Sequence, residues 1–334
     1  MAGKPTFVIV IGASAGGLNA LTELVAQLDK EIDAAVFIVL HLSRKGISDF
    51  LVHQLQKFTS LRCEMAVDRQ PIERGHVYVA LPNQHMLVKE GKVVIGHGPE
   101  ENRWRPSIDV LFRSAAVAYD GKVIGIILTG LLDDGTAGMW AIKRSGGTCI
   151  VQDPNEADYP DMPISVLNKL DVDYCISLSE MGKIISQIIK NKNLVNSDIP
   201  ADLIAESEIS EKVATGTDEV SQLGEKSLFA CPDCGGGLWK ITNGNITRYR
   251  CHIGHSYSER DLLIKQAETL ETTLWVSLRL MEERKNLLIK LEKDYREKGM
   301  NSTAEIYKQK EEDIEVHIQR LKEILFATQQ SDQS

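Results

Sequence analysis

Phe7-Val8-Ile9-Val10-Ile11 runs without a break into Gly12-Ala13-Ser14-Ala15-Gly16-Gly17, and Leu18–Leu28 continues with helical spacing. An apolar run with no polar alternation is what a strand buried on both faces requires, and that points to a parallel sheet covered by helices. The turn carries the spacing G-x-S-x-G between strand and helix, the pattern of a nucleophile elbow. Small flanking residues leave room around the serine Oγ, and the N–H groups at the helix start face any developing oxyanion. A glycine-rich phosphate cradle or a plain tight turn fits the same spacing. A dinucleotide G-x-G-x-x-G fails because Ser14 stands where its second glycine belongs, and a Walker loop lacks its G-K-[ST].

Working outward, Val36–His41 is a second buried run, and His41 closes it. In an open α/β sheet the carboxyl ends of neighbouring strands share one crevice, so His41 can meet Ser14 there. A hydrogen-bonded structural histidine is the plainer alternative. His53, His76, His85 and His97 have no comparable placement and read as structural or exposed. Val123–Thr129 leads into Gly130-Leu131-Leu132-Asp133-Asp134-Gly135. Two carboxylates in a glycine-bounded loop can orient an imidazole, bind a cation, or cap the helix at Gly138. With Ser14 and His41 in place, an orienting carboxylate is the economical reading. The chain order Ser…His…Asp differs from the Ser…Asp/Glu…His of an α/β-hydrolase.

The fold expected over residues 1–190 is therefore α/β, a doubly wound and mostly parallel sheet. Thr148–Gln152 and Tyr174–Ser177 read as further strands. Ile47–Lys57, Ser107–Tyr119, Gly138–Ser145, Ile164–Leu170 and Ser179–Lys190 read as helices. Leu61–Val67, His76–Ala80, Met86–Lys89 and Val93–Gly96 are short and closely spaced, which suggests antiparallel hairpins inserted in the core. Residues 191–226 hold eight acidic side chains, three lysines and no aromatic residue, the composition of a flexible acidic linker. From 257 to 327 an amphipathic helical hairpin or coiled coil is expected. Positions 263, 267, 270, 274, 277, 281, 284, 288, 291 and 295 follow a 4-3 spacing, and Gly299–Ser302 breaks the pattern. That tail is expected to bind a protein partner or a second copy of itself.

Between linker and tail, residues 227–256 carry Cys231-Pro-Asp-Cys234 and, after sixteen intervening residues, Cys251-His252-Ile253-Gly254-His255. Three thiolates and an imidazole at this spacing are a structural Zn²⁺ set, with His255 preferred over His252 as fourth ligand. Cys63, Cys149 and Cys175 lie in or beside apolar strands and read as core. Around the ribbon, Lys226, Lys240, Arg248, Arg250 and Arg260 with Trp239 and Tyr249 form a mildly basic patch. The whole chain balances 38 Lys+Arg against 47 Asp+Glu, a net −9 that disfavours nucleic acid as the ligand.

Its 334 residues exceed the roughly 150-residue domain prior, so more than one unit is expected. No apolar run reaches the ~18 residues needed to cross a bilayer, so no membrane insertion is expected. Lys4, the apolar stretch and Ala13-Ser14-Ala15 loosely imitate a signal peptide, but cleavage there would cut the serine motif. A cytoplasmic protein is the expectation.

Residues 5 to about 190 resemble the catalytic domain of the chemotaxis protein-glutamate methylesterases, the CheB family. Six ordered segments carry the resemblance: I-G-A-S-A-G-G (11–17), L-H-L (40–42), A-L-P-N-Q-H-M (80–86), N-R-W-R-P-S-I-D-V-L-F (102–112), I-L-T-G-L-L-D-D-G (127–135) and V-Q-D…M-P (151–163). The resemblance implies Ser14 as nucleophile, His41 as general base and Asp134 as orienting acid. It also implies Arg105 beside the substrate, and oxyanion N–H groups near Ala15, Gly16 and Leu131. No catalytic cofactor is implied. The substrates implied are methylated, chemoreceptor-like helical proteins, with glutamine deamidation as a second use of the same acyl chemistry. Leu131 and Leu132 replace the family's Met and Gly. A scaffold acting through its ribbon and tail is the alternative that this altered loop keeps open. The catalytic strand begins near residue 6, so phosphotransfer control on this chain is not expected.

Overall fold

The computed structural model describes residues 3–41, 47–191, 198–212 and 216–331. Two compact units divide the chain, residues 1–261 and 262–334. The first opens with β1 (Phe7–Ala13), α1 (Gly17–Ala26), β2 (Ala34–Leu40), α2 (Ile47–Phe58), β3 (Arg62–Met65) and β4 (His76–Val79). It continues with β5 (His85–Lys89), β6 (Lys92–Gly96), α3 (Ile108–Tyr119), β7 (Val123–Ile127), α4 (Thr136–Arg144) and β8 (Thr148–Gln152). Then come α5 (Asp161–Lys169), β9 (Tyr174–Ile176), α6 (Leu178–Asn191), α7 (Ala201–Glu211) and α8 (Thr217–Ser221).

The main sheet has the order β3-β4-β2-β1-β7-β8-β9, and every neighbouring pair is parallel. All seven residues of β1 and of β2 are buried, as unbroken apolar runs require. Alternate side chains serve two cores. Val8 and Val10 pack with α3 residues such as Leu111 and Phe112; Ile9 and Ile11 pack with Leu21 and Leu24 of α1. The direction of winding reverses at β1, flanked by β2 and β7, so the crevice opens beyond the carboxyl end of β1.

Of the four short strands expected as hairpins, only β5 and β6 pair antiparallel. β3 and β4 instead extend the parallel sheet beside β2. The α2 connection before β3 supplies the crossover that a parallel strand needs, and a strand count without that helix cannot separate the two cases. Cys63 and Cys149 are buried, and burial pushes the Cys63 thiol up to about 11. Cys175 is exposed, because β9 is the sheet's edge strand.

The acidic stretch differs from a solvated linker. Residues 192–197 and 213–215 lie outside the described residues, but α7 packs Leu203, Glu206, Ile209 and Ser210 out of solvent. A four-stranded antiparallel ribbon follows, in the order β10 (Glu225–Ala230), β11 (Gly237–Asn243), β12 (Ile246–Cys251) and β13 (Ser256–Ser258). It belongs to the same compact unit as the parallel sheet. Glu101, in the loop before α3, bridges in parallel to Ser256.

The second unit is built from most of α9 (Glu259–Glu297) and from α10 (Asn301–Ser331), joined by a turn at Gly299, whose φ is +77°. Leu274, Leu278 and Met281 pack against Ile314, Ile318, Leu321 and Leu325. The Lys285–Glu315 and Lys322–Glu282 pairs and a Tyr295–Tyr307 stack run alongside. Leu278 rather than Ser277 enters this seam, while Leu263 and Leu270 of the expected stripe are exposed. Among the described residues no helix is long and apolar enough to cross a membrane.

Candidate active site

Ser14 sits one residue past β1. Its N–H donates to Thr129 O at 3.0 Å, and the His41 N–H donates to Ala13 O at 3.0 Å. The parallel register, Ala13 opposite Leu40, thus sets Ser14 and His41 side by side, with the loop after β7 on the other flank. Gly16 begins α1 at φ +74°, and a Cβ there would stand 2.9 Å from Asp158. Only glycine combines that backbone with that approach. Thr129 ties the turn to its neighbours: its Oγ1 donates to Ala15 O at 3.0 Å and accepts from Tyr159 N–H at 2.8 Å.

His41 is buried, and its Nε2 lies 3.0 Å from Asp134 Oδ2. That contact is short but off the line of the N–H, and among the described residues Nδ1 has no hydrogen-bond partner. Trp104 stacks on the imidazole, centroids 4.0 Å apart and planes 8° apart. The ring is therefore held by one carboxylate at its edge and one indole at its face. A carboxylate at Nε2 fixes the proton there and leaves the Nδ1 lone pair available to accept one.

Asp134 is 2 % exposed, yet surrounded by donors. Its Oδ2 takes the Ile108 N–H at 2.7 Å. Its Oδ1 takes Asn102 Nδ2 at 3.0 Å, Ser107 Oγ at 3.0 Å and Gly135 N–H at 3.1 Å. Burial opposes ionisation here, but His41, Asn102 and the amide at the start of α3 together hold the carboxyl below the usual range. Asp134 thus closes the amino end of α3. Ser107, at the N-cap position of α3, spends its hydroxyl on Asp134 rather than on a backbone N–H of the helix. The Gly138 N–H is taken by Asp109 at 2.6 Å rather than by either loop aspartate. Burial, and then the Asp134 charge, push Asp109 up to about 7.

Asp133 turns away from His41. Burial raises its carboxyl, and it faces Ser258, Asp261 and Arg260 of the ribbon's last strand and the start of α9. Arg105 is not drawn to the His41–Asp134 pair: its Nε and Nη2 bond Asn83 Oδ1 at 3.0 and 2.7 Å, and Nη1 bonds Gly98 O at 2.9 Å. Leu131 is 47 % exposed at the lip, next to Leu132 at φ +66°. His85 is fully buried between Pro99 O and the Ser107 N–H, and burial lowers its pKa, so it is structural.

Asn102, Trp104 and Thr129 were not singled out from sequence. Trp104 carried one signal, a large aromatic between Arg103 and Arg105 in a polar loop. Asn102 and Thr129 stand inside two of the family-like segments, but nothing there names a role for them, since their partners come from other strands.

The ribbon gathers Cys231, Cys234, Cys251 and His255, whose donor atoms all lie within 4.8 Å of one another. Cys234 Sγ and Cys251 Sγ are 3.7 Å apart, and Cys251 Sγ and His255 Nδ1 3.5 Å. A tetrahedral centre with metal–sulfur bonds of about 2.3 Å places its ligands at such separations. This donor set can hold a metal ion. His252 stays outside it, edge-on to Trp239. The basic patch loses its centre, because Arg248 and Arg250 are buried in ion pairs with Glu206 and Glu101.

A parallel α/β sheet whose switch point carries Ser14 next in register to a His41–Asp134 pair has the layout of a hydrolase-like protein of a particular topology. Residues 9–185 match the CheB methylesterase family, and the chain belongs to it. A Leptospira interrogans relative is 37 % identical over 184 residues, 55 % of this chain and 95 % of its own. The Methanosarcina mazei protein-glutamate methylesterase/protein-glutamine glutaminase 2 is 35 % identical over 191 residues, covering 55 % of this chain and 52 % of its own. The crystal structure of the Thermotoga maritima CheB methylesterase catalytic domain superposes with a TM-score of 0.52 at 30 % identity, over 56 % of this chain and all of that one.

Proposed function

We propose that this chain is a serine protein-glutamate methylesterase that removes γ-methyl esters from glutamyl side chains of chemoreceptor-like helical proteins in the cytoplasm. The carrying observation is the buried His41–Asp134 contact, one residue from Ser14 across the β1–β2 register. Ser14 Oγ attacks the ester carbonyl carbon while its proton passes to His41 Nδ1, and Asp134 balances the imidazolium. The tetrahedral oxyanion faces N–H groups near Ala15, Gly16 and Leu131. Its collapse breaks the C–O bond, and methoxide leaves as methanol with the proton from Nδ1. Water, deprotonated by the same nitrogen, then cleaves the acyl-Ser14 ester and leaves a glutamate carboxylate. Deamidation of glutamine follows the same path with ammonia as the leaving group.

Arg105 shapes the substrate side through the loop it ties down. Zn²⁺ is the metal that the Cys3His set suits, in a structural role, and the C-terminal helices are the self-association or partner surface. Family membership and the formed His41–Asp134 pair support catalysis over a pure scaffold. The test is methanol release from a methylated receptor cytoplasmic fragment. The wild type should release it and Ser14→Ala should not; equal release by both would refute the assignment.

A further inference from the structure

The ribbon and the parallel-sheet core meet through charged side chains that are buried on both sides. Arg250 Nη2 lies 2.7 Å from Glu101 Oε2, and Arg113 Nη2 lies 2.9 Å from the same oxygen. Glu206 of α7 takes Arg248 at two points, 2.5 and 2.8 Å, and Arg113 at 3.3 Å. None of the five is more than 6 % exposed. Burial opposes a charge on Glu101, but Arg113 and Arg250 hold its carboxyl down to about 2. A group so buried tolerates only a fully formed pair, so this contact has one geometry rather than many.

Glu101 leads directly into the catalytic shell. The next residue, Asn102, donates its N–H to Ser256 O at 2.8 Å and its side chain to Asp134 and Asp109. Trp104, two residues on, is the plate against His41. On the ribbon side, the two gripping residues flank the candidate metal turn. Arg250 precedes Cys251, and Ser256 follows His255. The Cys251 N–H donates to His255 O at 3.0 Å, and Arg250 Nη1 donates to Gly254 O at 3.1 Å. Whatever fixes the Cys251–His255 turn therefore fixes the grip on Glu101 and Asn102.

We propose that Glu101 is a positioning residue through which the ribbon sets Asn102 and Trp104 against Asp134 and His41, so that a metal held by Cys231, Cys234, Cys251 and His255 is needed for a fully formed esterase site. This rests on the esterase reading for Ser14, His41 and Asp134. The ribbon contributes no reacting group; it acts through the loop before α3. Misplacing a catalytic group by an ångström costs on the order of 100-fold in rate, so a loosened loop is visible in turnover.

The experiment uses the full chain loaded with Zn²⁺ and compares wild type, Arg250→Lys and Arg250→Gln. The readouts are bound zinc, kcat and KM on a small activated ester, the downfield imidazole N–H resonance of His41, and hydrogen exchange over residues 101–107. Arg250→Gln should keep its zinc and the KM, lose between about 10- and 100-fold in kcat, and lose the resonance; Arg250→Lys should restore most of both. Stripping zinc from the wild type with a chelator should remove the resonance and raise exchange over 101–107, while the amides of β1 stay protected. Readdition of zinc should reverse both. A folded Arg250→Gln with wild-type kcat and resonance overturns the proposal. If that variant does not fold, an unchanged resonance and unchanged exchange after zinc removal from the wild type overturn it instead. The resonance and the exchange do not need turnover, so a wild type that hydrolyses no ester refutes the esterase reading while these two readouts still decide the positioning role.

Discussion

Asp134 faces the amino end of α3, where backbone amides, Asn102, Ser107 and His41 all favour its charge. Asp133, one residue earlier, is raised by burial and faces Asp261, whose hydrogen bond opposes that rise, while Asp133 in turn raises Asp261 beyond what burial does. Two neighbouring aspartates in one loop are thus driven in opposite directions. Residue type fixes neither role; the number of donors within reach does. Asp134 is prepared to stay ionised beside an imidazole, and Asp133 to share a proton with the segment that leaves the ribbon.

The largest effect should come from substituting the two in parallel. Asp134→Asn is expected to lower kcat on a methyl ester by about 1,000- to 10,000-fold, by losing the charge that fixes the His41 tautomer. Asp133→Asn should stay within about threefold of wild type, since it touches no reacting group. A comparable loss in both would erase the contrast. Next, Asn102→Ala removes a donor to Asp134 and Asp109 together, and should cost about 1–3 kcal/mol of stability in denaturant unfolding. It should also shift the acidic limb of the kcat/KM profile, because Asp134 is then held less firmly.

The third expectation concerns pH. Asp261 is pushed to about 8, chiefly by burial and then by Asp133 and Asp134, with the Ser258 hydroxyl opposing. A carboxyl whose folded pKa is raised holds a proton that the unfolded chain releases near pH 4, so stability falls as pH climbs from about 4 to 8. Asp134 has the opposite sign: its contribution is present above pH 4 and is lost on acidification through its lowered folded value. Asp261→Asn should flatten the decline between pH 5 and 8 in thermal melts, and a slope identical to wild type would count against the shared proton. The smallest effect belongs to the same loop. Leu132 holds a left-handed backbone at φ +66°. That costs an L-residue about 1–2 kcal/mol, and glycine's extra chain entropy takes back about 0.5–1 kcal/mol. Leu132→Gly should therefore raise stability slightly, by up to about 1 kcal/mol, as read in chemical denaturation.

Much of the candidate site was legible because strand ends are local. The unbroken apolar runs of β1, β2 and β7 mark buried parallel strands, and each is followed at once by Ser14, His41 or the Asp133–Asp134 loop. What failed was pairing across distance. β3 and β4 look the same in sequence whether they form a hairpin or extend the sheet. Residues 191–226 look solvated because their carboxylates are counted without partners. Yet Glu206 meets Arg113 and Arg248, 93 and 42 residues away by numbering. Arg248 and Arg250 did leave a trace. In Thr247-Arg248-Tyr249-Arg250-Cys251 they alternate with other residues and share one strand face, next to a buried cysteine. Two arginines on an inward face demand carboxylates, which argues against reading them as a surface patch.

The contact between Glu101 and Arg250 spans 149 positions of chain, and this orders events during synthesis. At about 5–20 residues per second, the ribosome makes Ser14, His41 and Asp134 several seconds or more before the arginine that grips Glu101 exists. A nascent chain therefore carries the three proposed catalytic residues while the loop bearing Asn102 and Trp104 is still without the ribbon's grip. On that reading the site becomes whole only once the last strand of the ribbon has been made and closes over Glu101.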